Sequence, residues 1–130
     1  DPLARLARPL ATAVALVLAI VGALHSERLY TSITFLSTAA LLIVHLLILR
    51  TPWLGRFWMG YAISLVPFFI VNGILTGTGL PEPIVWYNDA ENLGIRMGTI
   101  PVEDSIYLLF FLLLALTFHE RALRRDQLSV

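Results

Sequence analysis

The sequence predicts an all-α membrane protein with four transmembrane helices and a long ordered loop before the last helix. Of its 130 residues, 58% are hydrophobic and only 14% are charged, and the mean hydropathy is +0.80. A soluble domain is about 45–50% apolar and about 25% charged. The apolar residues are gathered into four runs, and no segment shows the two-residue alternation of a half-buried strand. These observations make a bilayer the expected environment.

The four apolar runs give the predicted helices. A helix needs about 17–25 residues to cross a bilayer. The last three runs reach this length once their flanks are counted, and the first is at the short end. The runs cover residues 10–24, 33–49, 57–75 and 102–118.

The connections between the runs differ in length. Residues 25–32 and 50–56 are short polar turns, whereas residues 76–101 form a long segment rich in glycine and proline. Long loops in compact proteins are usually either functional or disordered. Trp86 and Tyr87 in this loop are residue types that favour the membrane interface.

The positions of the arginines predict the orientation in the membrane. Seven of the nine arginines fall on the side of the first helix's start, and only Arg28 and Arg96 fall on the other side. By the positive-inside rule, both termini are cytoplasmic and the long loop faces away from the cytoplasm. We therefore expect a multi-pass protein of the cell (cytoplasmic) membrane, in contact with lipid.

Several kinds of site are not expected. The net charge is zero and there is no basic tract, so nucleic acid is not an expected partner. The absence of cysteine removes thiolate chemistry and cysteine-based zinc sites. The three histidines, His25, His45 and His119, have no metal-binding spacing and fit interfacial or packing roles. The histidine spacing therefore predicts no metal site. No dinucleotide fingerprint is present, so no flavin or nicotinamide cofactor is predicted either.

The start of the fourth helix carries the residues best suited to chemistry. Glu103 and Asp104 follow Pro101, with Thr99 or Ile100 as the expected cap. Acidic residues in a first turn complement the helix dipole, and the pattern alone favours this structural role. Carboxylates near a membrane are, however, usually functional. Two adjacent carboxyls can share one proton near neutral pH, as a general acid and base require.

Aromatic residues follow the acidic pair at helical spacing. Tyr107, Phe110 and Phe111 lie four, seven and eight residues after Glu103. Aromatic faces can stabilise a cation, although packing is the more common role for such a stripe. Asn72, near the end of the third helix, fits an interhelical hydrogen bond and a substrate contact equally well.

Three motifs in 87–104 resemble the lycopene cyclase domain, the membrane-embedded, heterodimer-type carotenoid cyclase. They are Tyr-Asn-Asp at 87–89, Leu-Gly-Ile-Arg at 93–96 and Ile-Pro-Val-Glu-Asp at 100–104, followed by aromatic residues and His-Glu at 119–120. The resemblance covers roughly residues 32–121. The family has two homologous repeats, each with a Pro-x-Glu-Glu/Asp motif that opens its last helix.

The resemblance implies that the chain is the second half of such an enzyme, because only one motif is present. Residues 32–121 would form the three-helix repeat. Residues 1–31 would be an N-terminal linking helix, and residues 122–130 a polar tail. The other half, with the second motif, would be a separate polypeptide or a missing part of the same one.

The resemblance further implies a redox-neutral cyclisation of lycopene or a related acyclic carotenoid, without a cofactor. Glu103 and Asp104 would be the catalytic carboxyls. Substrate contacts would come from Trp86, Tyr107, Phe110, Phe111 and Asn72, and Asn88, Asp89 and Arg96 would order the loop. The expected function is lycopene β-cyclase. The alternatives are an ε-type or elongated-carotenoid cyclase, a hydratase, and a non-catalytic membrane partner that only binds carotenoid.

Overall fold

The computed structural model describes residues 2–82 and 92–128. These residues form four helices and one small hairpin, which confirms the predicted fold class. The helices are α1 (Pro2–Leu24), α2 (Leu29–Ile43), α3 (Leu54–Leu75) and α4 (Val102–Leu128), and the hairpin pairs β1 (Arg96–Met97) with β2 (Ile100–Pro101). A π-helical turn, Val44–Ile48, continues α2 without a break.

Each helix contains a segment that is long and apolar enough to cross a membrane. The segments are Ala4–Leu24, Leu29–Ile48, Leu54–Leu75 and Val102–Arg125. At 1.5 Å per residue, the shortest of them spans about 30 Å, the thickness of a bilayer's hydrocarbon core. The chain is therefore a multi-pass membrane protein. Helix α4 continues to Leu128, so much of the predicted polar tail is helical.

Helix α2 is the most enclosed helix, because it packs against both α1 and α4. Small residues on α1 let α2 approach closely, as is common between membrane helices. A side chain at Gly22 would meet Leu36 and Phe35 of α2 at 3.0–3.2 Å. The α1 residues in the core are Ala7, Ala11, Ala15 and Leu18. By contrast, few residues of α3 are fully buried.

Helices α2 and α4 run parallel and in a constant register. Thr31 contacts Glu103 near the start of both helices, and His45 contacts Thr117 fourteen residues further along each chain. Both pairs have the same sequence offset, 72 residues. Fourteen helical residues extend about 21 Å, so the two helices stay side by side over most of the membrane. This arrangement brings the start of α2 to the start of α4.

The hairpin before α4 was not predicted from the sequence. Each strand has only two residues, too few to show an alternating pattern, and Gly98 provides the positive φ of +66° at the turn. The prediction that Thr99 or Ile100 caps α4 is wrong, because both belong to the hairpin. The Thr99 hydroxyl instead lies 2.8 Å from that of Thr76 at the end of α3.

Candidate active site

Glu103 lies in the first turn of α4 and has no exposed surface. Its Oε2 atom accepts two hydrogen bonds, one from the Thr31 hydroxyl at 2.5 Å and one from the Leu93 backbone N–H at 2.7 Å. The other oxygen, Oε1, is buried and has no hydrogen-bond partner among the described residues. Buried polar atoms are nearly always paired, so an orphaned carboxyl oxygen marks a position with a possible chemical use.

Asp104 lies beside Glu103 and is only 6% exposed. The Tyr30 hydroxyl of α2 donates to Asp104 Oδ1. Two consecutive residues of α2, Tyr30 and Thr31, therefore hold two consecutive carboxyl groups of α4. This pairing is possible because the two parallel helices begin at the same level.

The loop segment Asn92–Ile95 folds over the start of α4. The carbonyl of Asn92 accepts a hydrogen bond from Arg28 at 2.6 Å, and its side-chain oxygen accepts one from the Gly94 N–H at 2.7 Å. Gly94 has a φ of +72°, which lets the chain turn there. The Val102 N–H then donates to the Ile95 carbonyl at 2.9 Å. These bonds place the Leu93 N–H against Glu103.

The predicted aromatic stripe spreads around α4 from Glu103 toward the exposed side of the helix. Tyr107 and Phe111 are 48% and 51% exposed, and their rings contact each other at 5.0 Å between centroids. Phe110 is partly buried. The physical reason is helix geometry, because each four-residue step turns the side chain about 40° further around the helix. A buried aromatic residue on the same side of α2 as Thr31 is Phe35, one helical turn away.

Two other predicted site residues make local contacts. Asn72 donates to the Phe68 carbonyl of its own helix at 3.0 Å. The predicted interhelical hydrogen bond of Asn72 is not found within the described residues. Arg96 donates to the Thr99 carbonyl at 2.7 Å, across the hairpin turn, and so stabilises the end of the loop. Trp86, Asn88 and Asp89 lie outside the described residues.

A second buried polar cluster lies at the opposite end of α2. His45 has no exposed surface, and its Nδ1 and Nε2 atoms lie 2.5 Å and 2.8 Å from the hydroxyls of Thr51 and Thr117. Trp53 packs edge-on against the imidazole. The predicted packing role of His45 therefore includes a hydrogen bond to α4. Within 2–82 and 92–128, no group of His, Asp and Glu side chains is arranged to hold a metal ion.

Sequence reasoning missed Tyr30, Thr31 and Asn92. The sequence predicts a connecting turn over residues 25–32, whereas in the structure the last four of these residues begin α2. The signal that could have identified Tyr30 and Thr31 is topological. In a four-helix chain the second and fourth helices start on the same side of the membrane, so hydroxyls that open the second can meet carboxyls that open the fourth.

Comparison with known proteins identifies a family. A family model described as lycopene cyclase matches residues 27–122. The match begins just before Tyr30 and Thr31, includes the hairpin and ends within α4, so it contains every contact of the two carboxyl groups described above. Curated proteins give no significant match, and solved structures give none either. Because the matched residues make up most of the 130, the chain belongs to the lycopene cyclase family.

Proposed function

We propose that this chain is one half of a membrane-embedded lycopene β-cyclase, which closes β-ionone rings on the ends of an acyclic carotenoid. Membership of the family supports a carotenoid cyclase role. The observation that carries the finer proposal is Glu103, a buried carboxyl with one oxygen fixed by two donors and one without a described partner. This is the arrangement expected of a proton donor to hydrocarbon, which offers no hydrogen-bond acceptor of its own.

The proposed role of Glu103 as an acid requires its protonated form. An ionised oxygen without a partner in an apolar interior costs far more free energy than a neutral hydroxyl in the same place. Ile106 and Leu109 make the next turns of α4 apolar, and although polar Thr31 and Asp104 are buried nearby, no described residue bonds to Oε1. We therefore assign Glu103 the role of the acid.

The proposed reaction moves one proton in and one proton out. The Glu103 hydroxyl protonates the terminal double bond of the substrate and leaves a carboxylate and a tertiary carbocation. The nearby internal double bond attacks this cation, which forms the new carbon–carbon bond of a six-membered ring and moves the positive charge onto a ring carbon. A carboxylate then removes a proton from the adjacent ring carbon, and a ring double bond forms. The product is an isomer of the substrate, so no oxidant or reductant is consumed.

Asp104 is the candidate for the second carboxyl role. It follows Glu103 directly in the first turn of α4, and its Oδ1 atom accepts a hydrogen bond from the Tyr30 hydroxyl. Two carboxyls at one site can divide the acid and base roles of such a reaction. We propose that Asp104 orients Glu103 or accepts the proton that leaves the ring.

The substrate has to reach Glu103 through a closed region of the protein. Neither Oε1 nor the rest of the side chain is exposed, so the end group reaches the acid only when the segment Asn92–Ile95 or neighbouring side chains move. The same enclosure excludes water, which would otherwise convert the cation to an alcohol. Tyr107, Phe110 and Phe111 fit contacts to the polyene as it approaches along the outside of α4, and Trp86 and Asn72 stay predicted contacts.

The half-enzyme proposal rests on the single Pro-x-Glu-Asp motif at 101–104. The outward faces of α3 and α4 support it, because both helices leave most of their side chains unburied within the chain. Helix α1 ends before the matched region begins and fits a linking helix. The expected partner is a homologous half with the other motif.

Expression in lycopene-producing cells tests this proposal. We expect no cyclic carotenoid from the 130 residues alone and β-ring product when a homologous half with the other motif is present. Cyclisation by the chain alone would contradict the half-enzyme proposal. Product with ε-rings or with a hydroxyl group would assign the chain to a different cyclase or to a hydratase. Carotenoid binding without conversion by the pair would indicate a binding protein.

The proposed orientation places both termini in the cytoplasm and residues 78–98 outside. It is supported by the seven arginines that sit on the side of the chain termini. Reporter fusions at the C-terminus and within 78–82 measure the orientation directly. Reporter activity that locates the loop in the cytoplasm would show that the orientation is the reverse of the proposed one.

A further inference from the structure

We propose that Thr31 is a positioning residue that fixes which oxygen of Glu103 carries the transferable proton. This inference rests on the function proposed above and extends it to α2, a helix that carries none of the motif residues. The two oxygens of the Glu103 carboxyl differ in their hydrogen-bond partners. Oε2 has two donors, and Oε1 has no partner among the described residues.

The two donors identify Oε2 as the carbonyl oxygen of the acid. A backbone N–H can only donate, so Leu93 needs a lone pair on Oε2. The Thr31 hydroxyl donates to the same atom at 2.5 Å. The carbonyl oxygen of a carboxylic acid has two lone pairs available, whereas its hydroxyl oxygen is a poor acceptor. With both donors on Oε2, the proton of the neutral acid is on Oε1.

The same two bonds assist the transfer of that proton. When Oε1 gives its proton to the substrate, the negative charge spreads over both oxygens. The donors on Oε2 are already in place and strengthen as the charge develops, which is preorganised stabilisation. Thr31 acts through Glu103 and does not touch the substrate, so its loss affects turnover and not substrate binding.

Thr31 differs in its hydrogen-bond partner from Thr38, a second buried threonine of α2. Thr31 and Thr38 are both fully buried on α2. The Thr38 hydroxyl donates to the Thr34 carbonyl of its own helix at 2.7 Å, whereas the Thr31 hydroxyl reaches another helix. Thr38 is therefore a matched control, with the same residue type, helix and burial but no hydrogen bond to α4 within the described part of the chain.

The test compares Thr31→Val, Thr31→Ser and Thr38→Val in the complex with the other half, reconstituted in proteoliposomes with lycopene. We expect Thr31→Val to lower kcat about 10- to 100-fold at unchanged KM, because it removes a hydrogen bond to a group that becomes charged. Thr31→Ser keeps the hydroxyl and should restore kcat. Thr38→Val should behave as wild type.

Infrared difference spectra give a second readout that a packing role would not change. The carboxyl band that disappears in Glu103→Gln identifies the C=O stretch of Glu103. Loss of a donor to Oε2 raises that frequency, so the band should move to higher wavenumber in Thr31→Val and stay in place in Thr31→Ser.

Wild-type kcat in Thr31→Val, with Glu103→Gln inactive, would overturn the role of Thr31 and leave the proposed function standing. Activity in Glu103→Gln would overturn the proposed function itself. If Thr31→Val does not accumulate in membranes, Thr31→Cys replaces it, because a thiol is a weak donor. Reduced kcat in Thr31→Cys supports the inference, and full kcat overturns it.

Discussion

Two buried polar clusters, one at each end of α2, join this helix to α4, and they differ in which of their hydrogen-bonding groups have partners. At the start of the helices, Thr31 pairs with Glu103, whose Oε1 has no described partner. Fourteen residues further along, His45 pairs with Thr51 and Thr117, so both ring nitrogens are satisfied. A fully satisfied buried cluster stabilises a packing arrangement. A cluster with an open position keeps a group available for chemistry, and its location at the motif agrees with the proposed function.

The comparison predicts that changes at the Glu103 end affect turnover and changes at the His45 end affect stability. The largest effect is expected for Glu103→Gln, which keeps the size of the side chain and removes the transferable proton. General acid–base groups contribute about 10²–10⁴-fold to rates. We expect a loss of that order in lycopene conversion, measured with the complex at matched protein levels in membranes.

The opposite outcome would follow if Glu103 only complements the helix dipole. A neutral side chain would then cost about 0.3–1 kcal/mol of stability and leave turnover nearly intact. Near-normal cyclisation by Glu103→Gln would therefore move the acid to the motif of the other half.

Asp104→Asn is expected to have a smaller effect than Glu103→Gln. Asn keeps an oxygen that can accept the Tyr30 hydrogen bond. If Asp104 orients its neighbour, we expect about a tenfold loss of rate or less. A loss as large as that of Glu103→Gln would instead assign the removal of the ring proton to Asp104. Product formation in the same membranes, under the same assay, distinguishes the two roles.

The smallest effect on turnover is expected for His45→Leu, although this variant should be the least stable. It removes the partner of the Thr51 hydroxyl and the hydrogen bond to Thr117. An unpaired buried group costs about 1–3 kcal/mol. We expect a lower midpoint of thermal unfolding in detergent, followed by circular dichroism, with turnover per folded molecule within about twofold of wild type.

His25→Leu is the matched control for His45→Leu. His25 is only partly buried and bonds to the Val21 carbonyl of its own helix at 2.9 Å. The midpoint should therefore change little. A loss of turnover in His45→Leu comparable with that in Glu103→Gln would mean that the two ends of α2 do not differ in role.

Much of the fold was predictable because membrane helices can be identified from their apolar composition and length. Apolar runs of sufficient length gave the four helices, and Pro101 followed by Glu103 and Asp104 marked where α4 begins. The hairpin of Arg96–Pro101 was not predictable in the same way. Its strands are too short to show an alternating pattern, and Thr99 at its turn contacts Thr76, a residue that is distant in sequence.

The candidate site was predicted only where its residues are adjacent in sequence. Glu103 and Asp104 were identified from their own helix, whereas Thr31 and Tyr30 are more than 70 positions away. Their contribution depends on which helices pack together, and composition does not determine that. The role of the aromatic stripe stays a prediction. An i, i+4, i+7, i+8 pattern spreads around a helix, so Phe111 is exposed although Glu103 is buried.

The constant register between α2 and α4 determines where the chain can gain or lose residues. One residue inserted between Thr31 and His45 would rotate everything beyond it by about 100°, so the two ends of α2 could not both meet their partners on α4. The same holds between Glu103 and Thr117. A length change in 77–82, which lies outside both helices, alters the 72-residue offset but neither contact. Natural length variation among related chains should therefore concentrate in such connections.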